Sequence, residues 1–382
     1  MFNNDGQTAY CFCCMEQGFS LTKLKTVMIK RIVPSISFIL ICFSAFSQTD
    51  SAKTSPWPTI TGSVDVYYRY NFANAKDPET GDRITNNYTS FTNSQNAFEL
   101  GMASLKVDHS FGKASATIDL GFGPRAEEFS YGDPTHGTLF ALKQAYLSYA
   151  ISDKVKLTMG KWATHIGYEL VDAYLNRNYS MDYMFSYGPF SHTGLKADIG
   201  LGGKSAFMIG VTSTSDQAAT TLSRKLAIAQ FSTGTSNDKV KLYVNYQGTY
   251  GGSLDLTQFD AVVTGAITDK FSIGYNGTVQ LQKTEDNGSN SWWGSAVYLN
   301  LDPSSMFGIT LRGEYFDNKK EVISAPATSI FDLTLSPNFK IGNLTIIPEL
   351  RFESAKDEVF FDKDANPAKS AFTAFLAATY HF

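Results

Sequence analysis

The chain has 382 residues, of which 43% are hydrophobic and 18% are charged, and its formal net charge is −4. This composition excludes a disordered chain, and the mild negative charge without a basic stripe argues against a nucleic-acid partner. Aromatic residues reach 14%, with 29 Phe and 20 Tyr, beside 30 Gly and 12 Pro. Such a mixture is typical of strands in which every second residue is apolar.

The first 27 residues carry most of the cysteines. The chain contains Cys11, Cys13, Cys14 and Cys42. No second cysteine or histidine cluster completes a tetrahedral set, so we expect neither a metal nor a cofactor. We interpret residues 1–27 as an upstream extension that precedes the true start of the protein.

Residues 28–47 have the pattern of a secretory signal peptide. A basic pair, Lys30 and Arg31, precedes a short apolar stretch, and small residues lead to an expected cleavage between Ser47 and Gln48. The apolar stretch is too short to span a bilayer as a helix. The pattern therefore predicts an exported protein.

The exported chain, residues 48–382, is predicted to be a single domain built of strands. In TITGSVDVYYRYNF, residues 59–72, apolar side chains from Ile60 to Phe72 occupy one parity, whereas Asp65 and Arg69 occupy the other. Strict alternation over more than ten residues indicates a strand and not a helix. Equivalent alternation predicts strands at 59–72, 96–109, 114–122, 139–151, 155–161, 192–200, 205–213, 223–232, 239–250, 257–267, 271–283, 292–302, 306–316, 329–336, 343–354 and 370–382.

The connections alternate in length along the chain. Short turns are predicted at 152–154, 200–204, 268–270 and 302–305, and long polar loops at 73–95, 123–138, 162–191, 284–291, 317–328 and 355–369. This alternation is typical of outer-membrane barrels. The sequence thus predicts an all-β fold, a transmembrane antiparallel up-and-down β-barrel of about sixteen strands (14–18).

A soluble β-sandwich would also alternate, but two features favour lipid. The apolar parity is nearly free of charge over whole strands, and aromatic residues gather near strand ends, as at Tyr68, Trp162, Trp292 and Phe382. A barrel of this width encloses an aqueous channel. The function predicted is therefore an outer-membrane porin for passive diffusion of small hydrophilic solutes or ions.

The chain ends on AFTAFLAATYHF, an alternating strand that finishes at Phe382. Such an aromatic end is expected to face outer-membrane lipid and to be recognised by the outer-membrane assembly machinery. The exported chain carries 28 Lys and Arg against 34 Asp and Glu, a net charge of −6, which predicts a weak preference of the pore for cations. The pattern leaves a homotrimer open.

A specific motif lies in the long loop after the fifth strand. Its skeleton is Gly160-Lys161, Gly167-Tyr168-Glu169, Asn176, Asn178-Tyr179-Ser180, Phe185, Gly188-Pro189-Phe190 and His192-Thr193-Gly194. This stretch resembles the OmpL-like family of β-barrel porins. The resemblance implies an outer-membrane channel of a Gram-negative bacterium. Members commonly carry Arg after the Tyr-Ser pair, whereas Met181 stands there in this chain.

The same loop is a candidate constriction, because a porin loop often folds into the lumen. Loop charges would then face wall charges across the pore. The residues predicted to do so are Glu169, Asp172, Arg177 and Asp182 on the loop, and Arg69, Lys196 and Arg312 on the wall. The alternative is that these charges are solvated or pair within an outside loop.

Two other function classes remain as alternatives, an outer-membrane barrel enzyme such as a lipid hydrolase and an adhesin or assembly scaffold. His192 beside Ser191 is the strongest candidate for a catalytic base, and Asp133 with His136 could touch a metal. Neighbours on a strand point to opposite faces, and neither G-x-S-x-G nor H-E-x-x-H occurs. We therefore predict no catalytic residues and no enzyme activity.

Overall fold

The computed structural model describes residues 57–131, 133, 138–251, 254–284 and 288–382. In these residues, sixteen strands close into one antiparallel barrel, which confirms the predicted fold class and strand number. Each predicted strand overlaps one strand of the barrel. The predicted extension 1–27 and signal peptide 28–47 lie outside the described residues.

The barrel strands follow the chain in order. They are β1 (Thr59–Asn71), β2 (Ala97–Phe111), β3 (Ala114–Phe122), β4 (Leu142–Ser152), β5 (Val155–Ala163), β6 (Ser191–Gly202), β7 (Ser205–Thr212), β8 (Leu226–Gly234), β9 (Val240–Thr249), β10 (Leu254–Ala266), β11 (Phe271–Thr284), β12 (Gly288–Ser304), β13 (Phe307–Asp317), β14 (Ser329–Ile341), β15 (Leu344–Ala355) and β18 (Ser370–His381). A separate two-stranded sheet is formed by β16 (Phe360–Phe361) and β17 (Pro367–Ala368).

Helices are few and short. The described residues contain two α-helices, α1 (Pro124–Phe129) and α2 (Tyr183–Ser186), and two 3₁₀ helices at Thr138–Ala141 and Ala173–Leu175. In the described part of the chain, none of the helices has the length and apolar character needed to cross a membrane.

Each barrel strand pairs with its chain neighbours, and β18 pairs with β1 to close the ring. Connections of two to five residues follow β2, β4, β6, β8, β10, β12 and β14, and we call this end of the barrel the turn end. The longer connections 72–96, 123–141, 213–225, 318–328 and 356–369 leave from the opposite end, the loop end. Both β1 and β18 have their free ends at the turn end.

The long loop predicted at 284–291 is wrong in extent. Strand β11 continues to Thr284 and β12 begins at Gly288, and the two strands remain paired up to that point. Polar residues such as Ser289 and Asn290 suggested a loop, but two strands that pair with each other can extend beyond the apolar zone. Backbone pairing, and not side-chain hydropathy, therefore sets the strand length here.

The two faces of the wall differ as the alternation predicts. On β1, the outward residues Ile60, Val64 and Val66 are 41–55% exposed, whereas Asp65 and Arg69 point into the barrel and are at most 3% exposed. An apolar outer face around a polar interior is the arrangement of a barrel in lipid.

Two prolines interrupt the pairing of β14 with β15. The register of β14 and β15 places Pro337 opposite Pro348, and pairing between the strands is interrupted from residue 336 to residue 338. Neither proline can donate a ladder hydrogen bond. The inward side chains beside this gap, those of Ser336, Asn338 and Glu349, are among those that bind the segment described next.

Candidate functional site: the lumen segment and its wall contacts

The connection between β5 and β6, residues 164–190, folds into the barrel interior and is called the lumen segment. At one side its backbone meets β10 and β11, where Gly167 N–H donates to Asp260 over 3.1 Å and Tyr168 N–H donates to Asn276 over 3.2 Å. Its Tyr179 hydroxyl reaches β1, donating to Asp65 over 2.7 Å. The segment therefore spans the lumen between well-separated parts of the wall.

Two wall carboxylates each accept hydrogen bonds from two consecutive backbone N–H groups of the segment. Glu349 on β15 accepts from Tyr179 N–H at 2.7 Å and from Ser180 N–H at 3.0 Å. Glu314 on β13 accepts from Tyr183 N–H at 2.8 Å and from Met184 N–H at 2.9 Å. Charge-assisted bonds of this kind are about twice as strong as neutral ones.

Two buried arginines join the same contact. Arg312 on β13 donates to Glu169 over 2.6 Å and to Ser180 C=O over 2.8 Å. Arg351 on β15 donates to Met181 C=O over 2.7 Å. Both guanidiniums also contact Asp332 on β14, and Arg351 pairs with Glu353. We call the side chains of Arg312, Glu314, Asp332, Glu349, Arg351 and Glu353 the docking seam.

Cross-strand pairing explains why the docking seam needs these partners. Asp332 lies directly opposite Glu314 on β13 and opposite Glu353 on β15. Like charges in directly opposite positions destabilise a sheet. The arginines and the N–H groups of the segment compensate this repulsion, so the wall without the segment would be left with uncompensated carboxylates.

Inside the segment, Asp182 starts the short helix α2. Its side chain accepts from Phe185 N–H at 2.6 Å, its own N–H donates to Glu169 over 2.8 Å, and the Tyr298 hydroxyl of β12 donates to it over 2.7 Å. Asp182 and Glu169 are both buried. Burial, and then the neighbouring Asp182 charge, raise the pKa of Glu169 to about 8, against the opposing effect of Arg312.

Glycines in the wall make room for segment side chains. A Cβ at Gly294 on β12 would lie 2.4 Å from the Met184 side chain, and one at Gly274 on β11 would lie 2.8 Å from the Tyr168 ring. The segment therefore packs directly on wall backbone at two strands.

The loop end adds a second anchor. Asp216, in the connection 213–225, accepts from Phe190 N–H at 2.6 Å and from Ser191 N–H at 2.8 Å. Burial raises the pKa of this carboxyl to about 7, against the opposing effect of those two backbone hydrogen bonds.

Of the seven residues predicted for the constriction, the structure brings three together: Glu169, Asp182 and Arg312. Asp172 instead bonds Lys143 over 2.6 Å. The Arg69 guanidinium lies under the loop 72–96, where it donates to the carbonyls of Thr85, Asn86 and Ser94.

The remaining two predicted residues lie outside the docking seam. Arg177 pairs with Asp302 on β12, and Lys196 on β6 lies 3.5 Å from Asp198 and over the ring of Trp162. Their side chains are about one-fifth exposed, in contrast to the buried docking seam. The wall partners Glu314, Glu349 and Arg351 were not predicted as site residues, although their inward parity on adjacent strands was a usable signal.

The candidate catalytic pair does not form. His192 contacts the hydroxyls of Thr164 and Ser215, at 3.2 and 3.4 Å, and the buried Ser191 Oγ has no hydrogen-bond partner in the described structure. His136 lies outside the described residues. Within the described ranges, no group of three or more His, Cys, Asp or Glu side chains is placed to hold a metal ion.

The barrel is similar to solved outer-membrane structures at low sequence identity. These are an anion-selective porin from Comamonas acidovorans (10% identity, TM-score 0.57, covering 85% of this chain and 99% of that one), the channel DcaP of Acinetobacter baumannii (11%, 0.56, 85% and 97%) and the trimer form of OmpT of Vibrio cholerae (10%, 0.53, 85% and 99%). At such identities the likeness establishes the fold. No curated protein matches the sequence.

The family comparison adds what the fold alone does not. The family described as "Putative beta-barrel porin-2, OmpL-like" matches residues 58–382, which include all sixteen strands of the described barrel. The resemblance first seen in the lumen segment therefore extends over the entire domain. The chain belongs to this family of OmpL-like porins, and it forms a porin channel in the bacterial outer membrane.

Proposed function

We propose that the lumen segment is the constriction of this porin and that small hydrophilic solutes pass it by passive diffusion. The observation that carries the proposal is the attachment of the segment to distant parts of the wall, at Asp260 on β10 and at Asp65 on β1, which are seven strands apart in the ring. A peptide fixed across the lumen narrows the path that the polar wall would otherwise leave open. Solutes then pass beside it without a chemical step.

The predicted site residues take three roles in this proposal. Glu169, Asp182 and Arg312 hold the segment against the wall. Asp172 adds to this attachment through Lys143 on β4, whereas Arg177 and Lys196 present charge to the partly exposed lumen. Arg69 holds the loop 72–96 over the loop end through its carbonyl contacts.

Reconstitution into a planar lipid bilayer tests the function. We expect stepwise conductance from protein whose folded barrel is verified by heat-modifiable gel mobility. A folded barrel that gives no steps would refute conduction and would favour the scaffold alternative. To test the constriction, residues 170–186 are replaced by a short Gly-Ser linker, which should raise the single-channel conductance. An unchanged conductance in that variant would place the narrowest point elsewhere.

The proposal includes the absence of catalysis. Its support is the geometry at His192, which bonds Thr164 and Ser215 and not Ser191. Phospholipid or lipopolysaccharide incubated with the pure porin should be recovered unchanged, as measured by mass spectrometry. Hydrolysis that disappears in a His192→Gln variant would overturn this part.

Export and assembly complete the proposal for a Gram-negative cell. Residues 28–47 would act as the signal peptide, with cleavage near Ser47-Gln48, after an extension at 1–27. N-terminal sequencing of protein purified from outer membranes would identify the start. Phe382 would be recognised by the assembly machinery; its exposed ring ends an apolar outer parity, which supports this role.

We include a homotrimer in the proposal because the OmpT structure of similar fold is described in a trimer form. Size-exclusion chromatography with light scattering in mild detergent would test it, and a monomer at all protein concentrations would reject it.

A further inference from the structure

Two clusters of the same net charge, each with one carboxylate between two cationic side chains, lie toward the turn end of the lumen. In the first, Asp198 on β6 lies between two lysines, 3.5 Å from Lys196 on the same strand and 3.9 Å from Lys156 on β5. One carboxylate thus serves two cations. The first cluster carries one excess positive charge.

The second cluster has the same arrangement of charges on different strands. Asp302 on β12 pairs with Arg177 of the lumen segment and lies 3.3 Å from Lys340 on β14. It also carries one excess positive charge. The two clusters do not come from a repeated sequence motif, because Arg177 of the second cluster belongs to the lumen segment and not to a strand.

The clusters lie on opposite walls. In the strand order of the barrel, β6 and β14 are eight strands apart in either direction. All the wall members face inward. Lys156, Asp198, Asp302 and Lys340 lie in the turn-end half of their strands, and Lys196 lies at the middle of β6. Their side chains are 18–35% exposed, whereas Arg312 and Arg351 of the docking seam are at most 2% exposed.

Other charges in this half of the lumen leave the excess in place. Lys106 pairs with Asp108 at 3.2 Å and contributes no net charge. Glu349 on β15 adds one buried negative charge, and Lys241 on β9, without an ion pair among the described residues, offsets it. Lys143 and its partner Asp119 lie at the loop end and do not enter this count.

We infer that the turn-end half of the lumen selects small anions, such as carboxylates and phosphates, which bind between the two clusters. We call this region the anion station. In each cluster one carboxylate lies between two cationic side chains. The spacing of these cations therefore suits the oxygen atoms of an oxyanion. Partial exposure lets the lysine ammonium groups turn toward a passing solute, and the narrowed lumen focuses their field. The inference rests on the proposed pore function and adds the class of solute that it favours.

The test is the reversal potential of the reconstituted wild-type porin in a potassium chloride gradient. We expect chloride to be more permeant than potassium. Lys196→Gln and Lys340→Gln should each lower the chloride-to-potassium permeability ratio by about twofold, since each removes one charge facing the path. Asp198→Asn and Asp302→Asn should raise the ratio by a similar factor. Lys363→Gln, in an exposed pair with Asp364 at the loop end, is the matched control and should leave the ratio unchanged.

The outcomes separate the two proposals. A pore that conducts but prefers potassium, or one whose ratio is the same in all four cluster variants, would overturn the anion station and leave the porin function intact. The absence of any conductance from folded protein would overturn both. Opposite shifts in the lysine and aspartate variants, with folding verified by gel mobility, would support the station and exclude a general loss of structure.

Discussion

The docking seam and the two turn-end clusters both consist of acidic and basic side chains, but these side chains have different roles. In the seam, arginines and carboxylates are buried, nearly every charged group has several fixed partners, and the lumen segment is attached to the wall. In the clusters, lysines and aspartates remain partly exposed and each carboxylate is shared by two cations. Burial therefore decides whether a charge in this lumen fixes the structure or faces the solute.

Of the substitutions predicted here, Arg312→Met should have the largest effect on the attachment of the lumen segment. It removes the guanidinium that contacts Glu169 and Asp332, and an uncompensated buried charge costs about 3–5 kcal/mol. We expect the segment to detach, with a larger and noisier single-channel conductance and new protease cleavage within 164–190. A variant that keeps the wild-type conductance and protease pattern would show that Arg312 does not hold the segment.

Alkaline pH should weaken the contact between the lumen segment and the wall. The pKa of Glu169 is raised to about 8 by burial, so the docked state favours the protonated carboxyl. The stabilisation from this raised pKa is complete below the ordinary range of a glutamate and is lost as pH rises through 8. Conductance recorded from pH 6 to pH 9.5 should therefore increase near pH 8. Glu169→Gln, which mimics the protonated form, should remove that increase, and an identical pH profile in this variant would exclude Glu169 as its source.

Glu349→Gln should have a smaller effect than Arg312→Met. The amide keeps one oxygen for the N–H groups of Tyr179 and Ser180 but loses the charge and the second acceptor, a change of about 1–3 kcal/mol. Protease cleavage of the segment should become faster while the barrel remains folded. Equal cleavage rates in the variant and the wild type would contradict the role assigned to Glu349.

Tyr298→Phe should cost about 1 kcal/mol, because it removes one hydroxyl donor to Asp182 and leaves the ring in place. Urea unfolding in detergent micelles, followed by tryptophan fluorescence, would measure this loss. A loss above that of Glu349→Gln would reverse the order expected from charge.

Lys204→Ala should have the smallest effect. Its pair with Asp238 at the turn end is 46% and 53% exposed, and such pairs contribute no more than about 1 kcal/mol. Conductance, selectivity and unfolding should match the wild type. A clear change in ion selectivity would show that charges outside the two clusters also contribute to the anion station.

Much of the fold followed from the sequence because a strand in lipid must alternate. The inward Asp65 and the outward Val64 are adjacent in the chain, and their parity alone assigned their faces. Ends of strands were harder, as at Thr284 and Gly288, because backbone pairing continues where side chains no longer alternate between lipid and water.

The candidate site was predicted only in part. The sequence singled out the lumen segment and three residues that do meet, Glu169, Asp182 and Arg312, since inward parity and a specific motif mark them. It did not predict that Arg69 would bind the carbonyls of the loop 72–96, or that Asp172 would bond Lys143. Those partners lie on connections and strands whose relative positions depend on closure of the barrel.

The sequence by itself determined the barrel, its strand number and the side of the wall on which each charge lies, because alternation is a local property. Only the tertiary structure decided which charges pair. The net charge of −6 predicts a weak cation preference, whereas the placement of Asp198 and Asp302, each between two cations, favours anions. A sum over the chain counts every charge equally, but a solute responds to the charges that remain near its path and incompletely paired.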